Sequence, residues 1–417
     1  NVAKKQVSVR LERRLADVFA NLKRAPEPVA ERLRELPGVE RLETRVVAGV
    51  KLEVRGFSDP ITGLMVSVPD RGEPLLNALH LKRGRTVQPD SADEVVLADS
   101  FADAHGLGPG DTLAAIVKGK RRVLTVVGVA VSPEYIYQIA PGAMFPDFKR
   151  YGVLWAGRRA LAAAYDMEGA FNDVALTLAR DADVREVIDR VDAVLAGYGG
   201  TGAYARADQL SNRFLAEELK QLQTTATLFP AIFLGIAAFL LDVVVSRLVA
   251  LQREQVAILK AFGYSNLVVV AHYVKLVMGV VVLGVAAGVA LGAWFGQGLS
   301  NVYTETTFRF PYLDYGVRPG VVLAALAISA AAAVSGTLYS VLRAARLAPA
   351  EGMRAETPTV YRATFVERIG LQRWFAAPTR MILRHIERRP VKSLLTVLGI
   401  ACACGLMMVG NYQKGAI

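Results

Sequence analysis

The chain has 417 residues, 53% of them apolar, and a formal charge of +11. A soluble protein of this size carries fewer apolar residues, so part of the chain belongs in lipid. The basic excess sits beside apolar runs rather than on a water-soluble domain, which excludes a nucleic-acid binder and points to membrane topology.

The first 210 residues contain no run long enough to cross a bilayer and read as a folded aqueous domain of mixed α and β structure. Asn1–Arg14 is charged and has no apolar core of a secretory signal. Strand-like runs at Glu94–Leu97, Arg122–Val131 and Asn172–Leu178 alternate with helical segments at Pro28–Arg34 and Asp183–Leu195. The composition suggests subdomain breaks near residues 60 and 150, with a mostly β middle piece. Between them, Pro133-Glu134-Tyr135-Ile136-Tyr137 and Phe145-Pro146-Asp147-Phe148 cluster aromatic side chains in a proline-rich stretch. Tyr135, Tyr137, Phe145 and Phe148 either form an outer working surface or fill the gap between subdomains.

Residues 211–227 read as a stalk helix whose Leu215, Leu219, Leu222, Ala226 and Phe229 follow the 4-3-4-3 spacing of a coiled-coil-like seam, the alternative being a helix packed on its own domain. It runs into the first apolar stretch, 228–249, with Pro230 as a candidate kink. Further stretches of spanning length follow at 268–298, 320–342 and 393–410. The connection after the third carries Arg343, Arg346, Arg354, Arg362, Arg368, Arg373, Arg380, Arg384, Arg388, Arg389 and Lys392 against Glu351, Glu356, Glu367 and Glu387, which places it inside. Alternation then puts residues 299–319 outside, 250–267 inside and the large N-terminal domain outside.

In the short inner loop, Val256, Leu259 and Phe262 or Ile258 share a helical face, Arg253, Glu254 and Lys260 flank it, and Gly263 before Tyr264 suits a helix end. Such a helix either lies on the membrane surface or docks on a partner. The second stretch holds Gly284, Gly288, Gly292 and Gly296, a face of small residues that lets helices approach closely, unless the glycines are merely tolerated there. Asp242 and Lys275 are ionisable residues in apolar runs. Asp242 lies about 12 Å from the inner end of its helix, and Lys275 matches that depth. They are expected to face each other or share a polar cavity in at least one state of a transport cycle, the alternative being that Lys275 snorkels and Asp242 meets water or Arg247.

Enzymatic chemistry finds no support. A GxxxxGK[ST] loop, an HExxH motif and a nucleophile elbow are all missing, and Gly199-Gly200-Thr201-Gly202 reads as a turn. His80, His105, His272 and His385 lack ligand spacing, and Cys402 and Cys404 point to opposite faces of one apolar helix, so no metal site is expected.

The inner loop Gln252–Tyr264 resembles the coupling-helix segment of the FtsX/MacB-type permease family of ABC transporters, and Ala345-Arg346-Leu347-Ala348-Pro349-Ala350-Glu351-Gly352-Met353-Arg354 resembles the segment after that family's last span. Arg83-Gly84-Arg85, Glu94-Val95-Val96-Leu97, Gly106-Leu107 with Gly110-Asp111-Thr112, and Val126-Val127-Gly128-Val129 match in family order. The resemblance implies an α-helical membrane domain with a mixed α/β extracytoplasmic domain, a bacterial inner-membrane location, and no catalysis by this chain. ATP and Mg would sit on a separate cytoplasmic ATPase, in two copies, contacted through Arg253, Glu254, Val256, Leu259, Lys260, Phe262, Gly263 and Tyr264. The family's first span should precede the outer domain, and residues 346–392, a linker with an interfacial helix, followed by a span at 393–417, resemble the start of a second permease unit. The native chain is therefore expected to extend beyond both Asn1 and Ile417. The implied role is export or release of a hydrophobic or amphiphilic molecule at the outer face; the alternative is mechanical control of an extracytoplasmic partner such as a cell-wall hydrolase. Membrane lipid and a periplasmic protein are the remaining expected partners.

Overall fold

A computed structural model describes residues 15–89, 91–143, 145–306, 309, 316–346, 348, 350, 353, 379 and 390–415. Two compact units divide the chain, Asn1–Gln221 with Phe295–Tyr315, and Leu222–Trp294 with Gly316–Ile417.

The first unit begins with β1 (Val18–Pro26), α1 (Pro28–Arg34) and β2 (Val39–Arg45). It then passes into β3 (Val47–Glu53), β4 (Ile61–Val68), β5 (His80–Gly84), β6 (Glu94–Ala98), α2 (Asp99–His105), β7 (Thr112–Val117), β8 (Lys120–Val131), β9 (Tyr151–Gly157) and α3 (Arg158–Ala164). It returns with β10 (Ala170–Leu178), α4 (Val184–Leu195) and β11 (Ala203–Ala205). The strands therefore sort into two sheets. A four-stranded antiparallel sheet runs β11-β1-β10-β2, and its core takes Leu33 of α1 and Val187, Val191 and Leu195 of α4 at helical spacing. The other sheet runs β5-β8-β6-β9-β4-β3-β7, and β7 also pairs with β8, so the ladder closes on itself around Leu97, Phe101, Leu124 and Leu154. Closure leaves few unpaired strand edges exposed to water.

The subdomain breaks anticipated near 60 and 150 are corrected. The chain crosses between sheets at Arg45–Val47 and again just before β10. Pro60 stands in the turn of the β3–β4 hairpin, and β9 and α3 still belong to the closed sheet. Pro60 therefore belongs to a turn within one layer, not to a boundary between layers.

Two glycines of the recognised segments are explained by close backbone approach. Gly84 has φ +77°, and a Cβ there would sit 2.3 Å from the Val127 carbonyl oxygen, while a Cβ on Gly128 would sit 2.3 Å from that of Arg85. Both flank the β5–β8 crossing, where Arg85 N–H donates to Val127 at 2.9 Å. Gly128→Ala is expected to lower the stability of this unit by about 2 kcal/mol or more, because the obstacle is backbone that cannot rotate away. Hydrogen exchange of the β5 and β8 amides measures it, and unchanged protection would contradict the crossing.

In the second unit, α5 (Leu210–Leu251, whose first turns lie in the first unit), α7 (Asn266–Thr306, whose last turns from Phe295 on lie in the first unit) and α8 (Pro319–Ala345) are long and apolar enough to cross a membrane. At 42 residues, α5 is about 63 Å long, and the stalk and the first span are one helix that contains Pro230. Leu219 and Leu222 of the 4-3-4-3 seam are exposed. The short α6 (Arg253–Ala261) joins α5 to α7. Valines and a tyrosine spaced by four, Val269, Tyr273, Val277 and Val281, carry α7 into a core with Val245, Val249, Val256, Ala333 and Val341. The expected fourth span is only partly seen: α9 (Pro390–Gly415) is a helix, but its described apolar stretch, Thr396–Gly405, is shorter than a span. Most of the expected linker and interfacial helix, 346–392, and of the Ala345–Arg354 segment lies outside the described residues, as does the Cys402 side chain.

Candidate functional site

The inner loop forms a helix with two different faces. Val256 and Ala257 are buried, Val256 within the core of the three spans, and the half-buried Lys260 donates from Nζ to the Ala345 carbonyl at 2.7 Å. A cation on the last carbonyls of α8 is also favoured by the helix dipole. On the other side, Leu259 is 44% exposed, Phe262 79% and Tyr264 51%. Gly263, at φ +93°, ends the helix: its N–H bonds to the Lys260 carbonyl at 3.0 Å and that of Tyr264 to the Leu259 carbonyl at 3.2 Å. These are the paired bonds of a Schellman stop. Glu254 is exposed and Arg253 half-buried at the start of the helix. Val256 is thus removed from the expected contact surface, since it packs on the chain's own spans.

The aromatic segment of the outer domain splits in two. Tyr137 is 7% exposed and stacks on Phe214 of α5 with ring centroids 4.5 Å apart, and Tyr135 packs edge-on against Trp155 at 6.2 Å. Burial, reinforced by the neighbouring Glu134 carboxylate, pushes the Tyr135 hydroxyl well above the usual phenol range. These two tyrosines are packing residues, so of the two readings of the segment the gap-filling one holds for them and the outer-surface one does not. Phe145 is 58% exposed, and Phe148 lies under the Arg309 guanidinium, 5.4 Å from ring centroid to carbon.

Beside the tyrosines lies a buried ionic joint. Arg45, at the end of β2, donates from Nε to Asp173 of β10 at 2.6 Å and from Nη2 to Glu134 at 3.0 Å. All three side chains are under 10% exposed. Asn77 Nδ2 donates to Glu134 at 2.6 Å, and Gln209 Nε2 donates to the Glu134 carbonyl at 2.8 Å. Ser211, in the first turn of α5, accepts from Tyr137 N–H at 2.8 Å and donates to the Tyr137 carbonyl at 3.0 Å. Both sheets and the start of α5 therefore meet at Glu134 and Tyr137. Burial opposes the Arg45 charge, but Asp173 and Glu134 outweigh it and hold its pKa well above the usual value. Burial raises that of Asp173 despite Arg45, and Glu134 adds to the rise.

In the membrane helices, Asp242 accepts a hydrogen bond from Ser340 of α8, and Ser246 donates to Ser340 at 2.8 Å. Lys275 is exposed on α7. The expected Asp242–Lys275 pair is not formed in this structure. Tyr273 and Val277 turn inward, and Lys275, two residues from each, lies on the opposite face.

Residues 2–194 match the family model of the MacB-like periplasmic core domain, and residues 227–349 match that of the FtsX-like permease C-terminal region. The chain belongs to the FtsX/MacB-type permease family of ABC transporters. The closed sheet and its companion are thus this permease's extracytoplasmic domain, and α5, α7 and α8 belong to its membrane domain. An uncharacterised ABC transporter permease of Mycobacterium tuberculosis is 25% identical over 266 residues, 62% of this chain and 29% of the relative, so the chain spans under a third of that relative's length. The periplasmic region of MacB from Actinobacillus actinomycetemcomitans aligns at 12% identity with a TM-score of 0.31, covering 49% of this chain and 91% of that structure. The extracellular domain of YknZ, an ABC-type transporter from Gram-positive bacteria, aligns at 11% identity with a TM-score of 0.30, covering 46% and 98%.

Within the permease's glycine ladder, Gly284 and Gly288 border a cavity that Ala238 and Leu241 of α5 and Ala332 and Ala333 of α8 also line. Gly284, Gly288 and Gly292 are exposed and would hold a Cβ with no neighbour within 4 Å, and Gly296 is half-buried. The close crossing is instead at Gly336 of α8, where a Cβ would meet the Ala238 carbonyl oxygen at 2.8 Å. Sequence reading passed over Gly336 because it stands alone, and over Arg45, Asp173 and Arg309 because no spacing links them.

Proposed function

We propose that this permease is the non-catalytic membrane subunit of an ATP-driven complex in a bacterial cell membrane, with α6 at the cytoplasmic face docking on a separate ATPase that holds ATP and Mg. The observation that carries this reading is the two-faced α6. Its inner face is fastened to the spans by Val256, Ala257 and Lys260, so a push on its exposed Leu259, Phe262 and Tyr264 is passed to the bundle. The work done is export or release of a hydrophobic or amphiphilic molecule at the outer face by a complex with two ATPase copies. The joint at Glu134 favours a second reading in the same complex, in which the movement itself, delivered through α5 to both sheets, controls an extracytoplasmic partner without a transported substrate.

A photo-crosslinking residue at Phe262 tests the docking in membranes that contain the ATPase. A crosslink from position 262 to the ATPase, and none from the buried position 256, is the expected pattern. Equal labelling at both positions, or labelling of lipid alone at 262, would refute it.

A further inference from the structure

The extracytoplasmic domain has an open cleft of about 860 Å³. Apolar groups line it, among them Pro60, Ala140, Phe145 and Phe148. The charged groups on its wall are Lys149, Arg150 and Arg309 against Asp103 and Asp147. Arg309 is held in place by its backbone, whose N–H donates to the Ile136 carbonyl at 2.9 Å, and its guanidinium rests on the Phe148 ring. Its Nη1 lies 3.2 Å from Asp103 and 3.8 Å from Asp99.

Neither carboxylate depends on Arg309 for a counter-charge. Asp103 is paired with Arg83 at 2.7 Å, and Asp99 with Lys82 at 2.6 Å. An incoming anion that shares the guanidinium therefore leaves each aspartate with its other cation, Arg83 or Lys82. The Arg309 guanidinium lies within cation–π range of the Phe148 ring, and its planar fork matches a carboxylate. Volume, apolar lining and a few convergent charges are the features of a small-molecule site.

We propose that this cleft binds an organic monocarboxylate with an apolar body, the acid group on Arg309 with Lys149 at the rim, and the body against Phe145 and Phe148. The binding stands by itself; only the view that such a molecule is cargo rests on the proposed function. Octanoate, octanol and octylamine, titrated against the full chain in zwitterionic lipid nanodiscs with empty nanodiscs subtracted, test it. Octanoate should bind best, and Arg309→Gln should weaken it by about tenfold or more, the effect of losing one charge-assisted hydrogen bond. Phe145→Ala, at an exposed position, should weaken it without changing thermal stability, as should Lys149→Glu, so the test survives if Arg309→Gln misfolds. Octylamine or octanol binding as tightly as octanoate, octanoate binding to all three variants as to the parent, or no binding above empty nanodiscs would overturn the proposal. Leu259→Asp on α6 should bind octanoate normally, so failure of the ATPase contact and failure of the cleft are separate results.

Discussion

Arg45→Ala should destabilise the extracytoplasmic domain by about 3–5 kcal/mol, the range for removing one partner from a buried ion pair. Asp173 and Glu134 would be left facing each other at under 10% exposure, without the cation that joins them. The loss should appear first as faster hydrogen exchange in β2 and β10, the strands that carry Arg45 and Asp173. The triple change Arg45→Met, Glu134→Gln, Asp173→Asn should recover most of it, because an uncharged cluster needs no counter-ion. Equal defects in the single and triple variants would show that shape rather than charge is at stake.

The same joint sets a pH dependence. Burial, with Glu134 close by, raises the pKa of Asp173 in the folded chain. A carboxyl group with a raised folded pKa binds its proton more tightly when folded. It therefore stabilises fully below its unfolded value of about 4, and that stability is lost as pH rises through the folded value. Asp173→Asn mimics the protonated group and removes this loss, leaving Arg45 with the single carboxylate of Glu134. The melting temperature of Asp173→Asn relative to the parent should thus climb as pH rises from about 4. A difference that stays flat, or falls, would mean that Asp173 is ionised in the folded state throughout.

The second large effect is on coupling. Phe262→Asp and Leu259→Asp change exposed positions, so in the isolated chain each should shift stability by only about 0.5 kcal/mol. In a complex where α6 sits in a groove, each would bury an unpaired charge at a cost of several kcal/mol, or more than about a hundredfold in affinity. ATPase stimulation and outer-face activity should both vanish while the permease still folds and inserts. Val256→Asp is the contrasting case: its position is within the bundle core, so it should damage folding before coupling. Full stimulated ATPase activity in Phe262→Asp and Leu259→Asp would remove α6 from the mechanism.

Local order was legible in the sequence wherever it rested on near neighbours. The helices at Pro28–Arg34 and Val184–Leu195 and the glycine stop at 263 are written in residues within a few positions of one another and formed as expected, although α4 buries Val187 with Val191 and Leu195 and leaves Val184 exposed. The partly buried face of α6 was not, because Val256 and Leu259 are equally apolar. Only the spans packed against one of them distinguish an internal contact from an exposed one.

The sequence by itself determined that the chain has apolar helices of membrane-spanning length, that the domain before them is mixed α and β, and which family it resembles. Those properties depend on composition, periodicity and the order of short segments, all of which survive without knowing what touches what. Tertiary structure alone decided that Tyr137 holds the start of α5, that Arg45, Glu134 and Asp173 form one buried joint, that Asp242 meets Ser340 rather than Lys275, and that Arg309 lies on Phe148. Each of these is a pairing between residues roughly 40 to 160 positions apart. Such pairings are set by which faces the sheets and helices turn toward each other, and a side chain's charge or size carries no record of its distant partner.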